Sequence, residues 1–364
     1  MGLLSMVVDR AVNRSAVTGA AGASDLAQAI HASSAIVDLV VGSALFRHRF
    51  LTAGRGLVDL PRLQSAGVNV VGLTVATRFP DLRGTLSNWH FRSLGAPAPA
   101  LRSNMALADW HIGRIERWVT ESGGRLLLIR RRADLERCLA PGGPVGILLG
   151  VQGGHVLGGQ LTNAWRLHRL GVRMLSPAHV MDNDLVGSGT GRARGGLTGL
   201  GREAIGELER VGIMVDLAHM SRVGLEQALP LLRRPFLLSH TGLVEIHGAG
   251  SRWRRYSPAT RNVPAELARL VGQSGGLVGA VLATALNGGG LERAVELIQR
   301  LVAEAGRTRV AIGSDMDGAL RGAIDAAGLP LLTDALLSAG LERATVEGVM
   351  GGNAASFLRA ALPA

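Results

Sequence analysis

The sequence contains no lysine, so all 39 basic side chains are arginine, set against 28 acidic ones for a formal net charge of +11. Such a charge can draw acidic ligands, nucleic acid or anionic membrane to a surface. The runs Arg130-Arg131-Arg132 and Arg252 to Arg255 are where it would concentrate. Neither run sits in a recognised nucleic-acid-binding motif. Aromatic residues make up only 3% of the chain, which leaves few platforms on which single-stranded bases could stack. The arginine excess is read as a bias toward GC-rich codons, and no nucleic-acid partner is expected.

Cysteine is nearly absent. Cys138 is the only one, which excludes an internal disulfide and any cysteine-based zinc site, so a metal would have to be held by histidine and oxygen ligands. Its amphipathic surroundings predict a buried structural thiol. Long apolar runs are missing too. One long uncharged stretch, 270–291, is broken by Gln273, Ser274, Asn287 and several glycines, and suits a barrel strand plus loop better than a membrane helix. The first 17 residues lack the basic, apolar and small-residue order of a secretory signal. A soluble cytoplasmic protein with no membrane span is the expectation.

What is present is a chain of 364 residues, 47% hydrophobic and 18% charged, enough for a large aliphatic core. Short apolar, β-branched runs predict strands at 35–41, 68–75, 145–151, 173–175, 213–216, 236–239, 277–281 and 309–312. Several are apolar throughout, as parallel strands buried on both faces must be. Helical patterns lie between them, including 201–210 before Gly212 and 291–305 before Gly306. Strands alternating with helices predict a (β/α)8 TIM-type barrel over 35–364, preceded by an N-terminal extension over 1–34. A doubly wound open sheet is the alternative. Two Gly- and Pro-rich excursions, 80–100 and 182–196, leave the C-terminal ends of strands, where barrel active-site loops lie. The glycine series in the second fits no phosphate-binding motif and reads as a flexible lid or surface loop.

Polar residues follow the apolar strands at once: Gln152, His179, His219, His240 and Asp315. In a parallel barrel all strand ends face one mouth, so these side chains can converge there. Two imidazoles with oxygen donors suit a zinc-type ion. Each residue also has a plain structural role open to it: a strand-end histidine is commonly a hydrogen-bonded packing residue, and an aspartate can cap a helix. Asp317 suits that structural role better than Asp315.

At these same positions the chain resembles the membrane-dipeptidase (renal dipeptidase) family, peptidase family M19 of the amidohydrolase-like barrels. The segments that carry the resemblance are Gly150-Val151-Gln152-Gly153-Gly154-His155, Gly195-Gly196-Leu197-Thr198-Gly199-Leu200-Gly201, Gly212 through Ser221, Ser239-His240-Thr241, Thr260-Arg261-Asn262-Val263-Pro264, Gly313-Ser314-Asp315-Met316-Asp317-Gly318 and Gly351-Gly352-Asn353. They occur in family order. The resemblance implies a metal-dependent dipeptide hydrolase in which His219 and His240 bind one ion and Asp315 handles protons near the attacking water. It further implies that His179 contacts the substrate's carbonyl region and that Arg261 holds its terminal carboxylate. Family members are often homodimers, so that assembly is implied as well.

The chain departs from the family at the other ion. The family's Asp-Gly-His-Asn-Asp-like motif is here Asp38-Leu39-Val40-Val41-Gly42, so Val40 and Gly42 stand where a His and an Asp ligand belong. The family's bridging glutamate is replaced by Gln152. A neutral amide cannot offset two adjacent dications. The expectation is therefore one zinc ion rather than two, on His219 and His240 with Gln152 or Asp315 as a weaker third ligand. The spacing of His31 and His48 does not favour their making up the loss. Hydrolysis of a dipeptide or similar small amide is the leading expectation. A catalytically degenerate family member that binds a small ligand or partner is the alternative, and barrel chemistry of another kind, with Asp315 as base, is a third.

Overall fold

The computed structural model describes residues 11–46, 49–80, 85–246 and 258–364. The Arg252 to Arg255 run, His48 and part of the 80–100 excursion lie outside the described residues.

All eight expected strands form. They are β1 (Val37–Val41), β2 (Val70–Ala76), β3 (Val145–Gln152), β4 (Val172–Ser176), β5 (Met214–Val215), β6 (Leu237–Thr241), β7 (Leu277–Ala280) and β8 (Val310–Ile312). Every residue in them is buried, which is why the sequence shows continuous apolar runs rather than alternation. Each strand pairs in parallel with the next except β5 with β6, which a single bridge joins, and β8 returns to β1, giving a nearly closed (β/α)8 barrel with its helices outside. The 270–291 stretch becomes the end of one helix, strand β7 and a short helix, Thr284–Asn287. A ninth parallel strand, Leu126–Leu128, runs beside the start of β3; three leucines offer no signal that separates a strand from its helical surroundings.

The ring is unevenly stitched. Between β2 and β3 seven residue pairs align, from Val70↔Gly146 to Ala76↔Gln152. Between β8 and β1 only Ile312↔Asp38 aligns, and between β5 and β6 there is a single bridge, Asp216↔Leu237. Both thin seams are reinforced in the same way. Asp38 accepts from the Val40 amide (3.2 Å) and the Ser314 amide (2.9 Å), and also from the Ser314 hydroxyl. Asp216 accepts from the Ala218 amide (3.0 Å), the Ser239 amide (2.9 Å) and the Ser239 hydroxyl (2.7 Å). A buried carboxylate reaching across to a serine replaces the missing backbone ladder, and charge-assisted bonds of this kind are stronger than amide–amide bonds.

Helix ends follow their sequence signals. Thr198 caps Gly199–Val211 by accepting from the Gly201 amide (3.0 Å), and Gly212 closes it in the left-handed conformation. Cys138 is buried in Arg132–Leu139, and burial pushes its thiol up to about 12. His31 bonds the Ala66 carbonyl (2.7 Å) and the Thr333 hydroxyl (2.8 Å), a packing role away from the barrel mouth. Arg130 pairs with Glu116 (3.0 Å) on the surface. Residues 15–17 pair in parallel with Gly322–Ile324, and helix Asp25–Ser33 packs on Leu329–Ser338, so the chain before β1 docks on the segment after β8. No helix among the described residues is long and apolar enough to cross a membrane.

The 182–196 segment differs from the expected flexible loop. Residues 185–191 are buried, and the chain wraps around the Asp182 carboxylate, which accepts from the amides of Ser188 (2.8 Å), Ala193 (2.8 Å) and Arg194 (3.2 Å). A Cβ on Gly191 would lie 1.9 Å from that carboxylate. This glycine marks close backbone approach rather than mobility.

Burial raises the Asp38 carboxyl to about 6, so above that pH it is charged and needs its donors. Ser314→Ala removes one of them. Urea unfolding at about pH 8 should show a loss of about 1–3 kcal/mol, shrinking at about pH 5 where Asp38 is protonated; a loss that does not change with pH would argue against the carboxylate's part in the seam.

Candidate active site

Strand ends place the polar residues, and two β-bulges adjust them. The register slips between Asp38 and Val41 in β1 and between Leu238 and Thr241 in β6. Bulges of this kind re-aim side chains at barrel rims. Gln152 is the last residue of β3, His240 lies within β6, and His179 and His219 follow β4 and β5. Asp315 follows β8, and Arg261 ends the short helix Pro258–Arg261. His219 and Asp315 both have positive φ, 67° and 57°, a conformation uncommon outside glycine that gathers at functional sites.

Five of the six residues, Gln152, His179, His219, Arg261 and Asp315, line one cavity of about 370 Å³. The sixth, His240, is wholly buried behind it, with its Nε2 3.0 Å from the Nε2 of His219. Ring centroids run His179 to His219 at 4.7 Å and His219 to His240 at 4.9 Å. The Arg261 guanidinium donates to the His240 carbonyl (3.1 Å). Phe79 meets His179 edge-on at 5.3 Å.

Bond counting fixes one tautomer. The Ser239 hydroxyl donates its single proton to Asp216, which also accepts from the Ser176 hydroxyl (2.5 Å). The 2.7 Å contact between Ser239 Oγ and His240 Nδ1 must then be donated by the imidazole. The Nε2 of His240 is left unprotonated, with its lone pair toward His219. Metal-binding histidines are commonly oriented by such a bond on the far nitrogen.

The electrostatics favour neutral imidazoles. Burial, then the charges of His155 and Arg261, lower His179 to about 3. Burial first, and Arg261 next, hold His219 and His240 well below the usual range. Burial raises Asp315 to about 7, with Arg261 opposing and Asp38 adding to the rise. Burial also lowers Arg261, against the pull of Asp315 and Asp216.

Donors for a metal are few at the barrel mouth. The Nε2 atoms of His219 and His240 lie 3.0 Å apart in a hydrogen bond, and the amide nitrogen of Gln152 is buried with no hydrogen-bond partner. Turning that amide over would offer its oxygen instead. Among the described residues, however, no group of three or more His, Cys, Asp or Glu side chains is arranged to hold a metal. At the second position Val40 is fully buried, and Gly42 is pressed against the chain after β8: a Cβ there would lie 2.7 Å from the Asp317 carbonyl oxygen and 2.8 Å from the Gly318 Cα. The main chain occupies the space a ligand side chain would need. Asp317 itself accepts from the Ser43 hydroxyl (2.8 Å) and the Leu57 amide (2.7 Å), which ties the turn after β8 to the chain after β1.

Sequence reasoning gave no role to several residues at the site. Leu45, Phe79, Val180, Leu286 and Leu320 line the cavity; lone apolar residues outside the barrel strands carry no local signal. His155 is buried near His179 with both ring nitrogens unpartnered, and its place in the Gln152-Gly153-Gly154-His155 motif was the available hint.

Comparison with known proteins agrees with this architecture. The model of the membrane dipeptidase family (peptidase family M19) matches residues 24–362. The dipeptidase tcpJ of Claviceps purpurea is 28% identical over 314 residues, covering 84% of this chain and 69% of that protein. Among solved structures, the probable dipeptidase PvdM of Pseudomonas aeruginosa superposes with a TM-score of 0.78 at 19% identity, covering 92% of this chain and 97% of that one. A metallopeptidase of Rhodobacter sphaeroides, liganded with a phosphinate mimic of the dipeptide L-Ala-D-Ala, gives 0.75 at 22% identity, covering 90% and 99%. The chain belongs to the membrane dipeptidase family, whose membership implies hydrolase ancestry and a metal cofactor.

Proposed function

We propose that the protein hydrolyses the amide bond of a dipeptide or similar small ligand bearing a free carboxylate, with one zinc ion at His219 and His240. The observation that carries this reading is the approach of His240 Nε2 to within 3.0 Å of the Nε2 of His219, which lines the same cavity as Asp315 and Arg261. Gln152 completes the donor set. When bound there, a divalent ion supplies Lewis acidity toward the scissile carbonyl and eases ionisation of water. Arg261 holds the ligand's carboxylate through a two-pronged ion pair. His179, neutral and beside the cavity, donates to the carbonyl oxygen as negative charge develops. Asp315 takes the proton released as water adds to the carbonyl carbon and returns it to the amine as the C–N bond breaks.

The main test is elemental analysis of the purified protein together with cleavage of a dipeptide panel, with and without added zinc. One zinc per chain and zinc-dependent cleavage are expected, both lost in His240→Ala. Absence of bound metal and of any metal-dependent cleavage would refute the proposal. It would favour the second reading, a family member that binds its ligand without hydrolysis, which the loss of donors at Val40 and Gly42 supports.

Arg261→Ala should weaken a carboxylate-bearing ligand at least tenfold more than its neutral amide, read by calorimetry. Equal effects on both would remove Arg261 from the carboxylate site.

In the metal-free protein the folded chain keeps a proton on Asp315 up to about pH 7, while the unfolded chain releases it near 3.8. The unfolded state therefore gains as pH rises between these values, and stability falls across that window and then levels. Asp315→Asn should lose less stability than the parent between about pH 5 and pH 8 in urea titrations; a parallel decline in both would show that Asp315 does not titrate there.

A further inference from the structure

The segment before β1 sends one polar side chain inward. Of residues 11–18, Asn13 alone is buried, with 1% of its surface exposed, while the others are half-buried or exposed. A carboxamide is a poor filler for an apolar interior and is buried where it makes hydrogen bonds. The Asn13 side-chain oxygen accepts from the main-chain amide of Ala319 (3.0 Å), 306 residues away. The next residue repeats the grip through main chain, since the Arg14 carbonyl accepts from the Gly322 amide (2.8 Å).

What Asn13 holds is the turn that carries Asp315. Three residues of this turn other than glycine have positive φ: Asp315 at 57°, Asp317 at 58° and Ala319 at 62°. Such a conformation persists only where the surroundings over-determine it. Each of the three has a tether. The Asp315 amide donates to the Val40 carbonyl (3.0 Å), and the Asp317 carboxylate accepts from the Leu57 and Val58 amides (2.7 and 3.2 Å). The Ala319 amide has Asn13. Gly318 joins this last tether to the carboxylate: its amide donates to the Asp315 carbonyl (3.2 Å), and a Cβ on it would lie 2.2 Å from Asp315 Oδ1. The Asp315 carboxylate therefore rests against the main chain just before the amide that Asn13 anchors. Gly318 and Ala319 both line the cavity, and Asn13 does not.

We propose that Asn13 is a positioning residue of the active site: by holding the Ala319 amide it keeps Gly318 against the Asp315 carboxylate and so fixes the aim of that carboxylate in the cavity. This rests on Asp315 carrying the proton in the proposed hydrolase. Arg261, which takes the ligand's carboxylate, is held separately by the His240 carbonyl, so loss of Asn13 falls on turnover rather than on affinity.

Three variants test this. Asn13→Ala removes the acceptor, and Asn13→Asp keeps one. Ser24→Ala controls for stability lost elsewhere in the same segment, since Ser24 caps helix Asp25–Ser33 through the Ala27 amide (3.1 Å) and bonds Asp334, and neither residue lines the cavity. Hydrogen exchange of residues 316–322 in the whole, metal-free protein reads the turn directly. It should quicken at least tenfold in Asn13→Ala and stay near the parent's rate in Asn13→Asp and Ser24→Ala. Cleavage of alanyl-alanine with added zinc is then measured per mole of protein competent to bind it by calorimetry. In Asn13→Ala kcat should fall at least tenfold with KM changed less than threefold, and Asn13→Asp should recover the loss. Unchanged exchange in Asn13→Ala, or an equal rise in Ser24→Ala, overturns the inference, as does full turnover in Asn13→Ala. A parent protein that cleaves no dipeptide of a panel overturns the hydrolase reading, and with it Asp315's part in a reaction, whatever the exchange shows.

Discussion

The Asp216 carboxylate is the interaction on which fold and site jointly depend. It spans the thinnest seam of the barrel, where β5 and β6 share one backbone bridge, by accepting from the Ser239 amide and hydroxyl. The same hydroxyl receives the proton of His240 Nδ1. Closing the ring and fixing the tautomer of a candidate ligand are thus one hydrogen-bond network. Its members have little freedom: Asp216 and Ser239 are wholly buried, and a donor lost from such a network leaves an acceptor with no water to replace it.

The opposite seam separates these two jobs. Asp38 meets Ser314 with the geometry by which Asp216 meets Ser239, but no imidazole stands beside Ser314, and Val40 fills the inward position two residues after Asp38. Asp38 is therefore accounted for by barrel closure alone. An aspartate at this point of the motif is no sign that a metal is bound.

The fold was legible because all eight barrel strands are buried on both faces and leave continuous apolar runs between helical stretches. Convergence of Gln152, His179, His219 and Asp315 was legible from their position after those runs, since a parallel ring sends every strand end to one mouth. Arg261 was not visible that way. It sits on a short helix after β6, and only family resemblance singled it out. The Asp216–Ser239–His240 network was hidden because its partners are 23 residues and then one residue apart, a spacing that means contact only once the strands are paired. The glycines of 182–196 suggested freedom, yet Gly191 serves close approach to Asp182. Composition records that a side chain is missing and cannot record what fills its place.

Charge balance explains why the departures from the family occur together. Two buried dications need buried anions, and buried anions without dications are costly. A glutamate at position 152 with no ions beside it would be a desolvated charge without a partner; Gln152 avoids that. Val40 and Gly42 bring no polar side chain to the same region, and the backbone after β8 fills the space at Gly42. Asp315 persists under a different balance, since the Arg261 guanidinium favours its ionised form against burial.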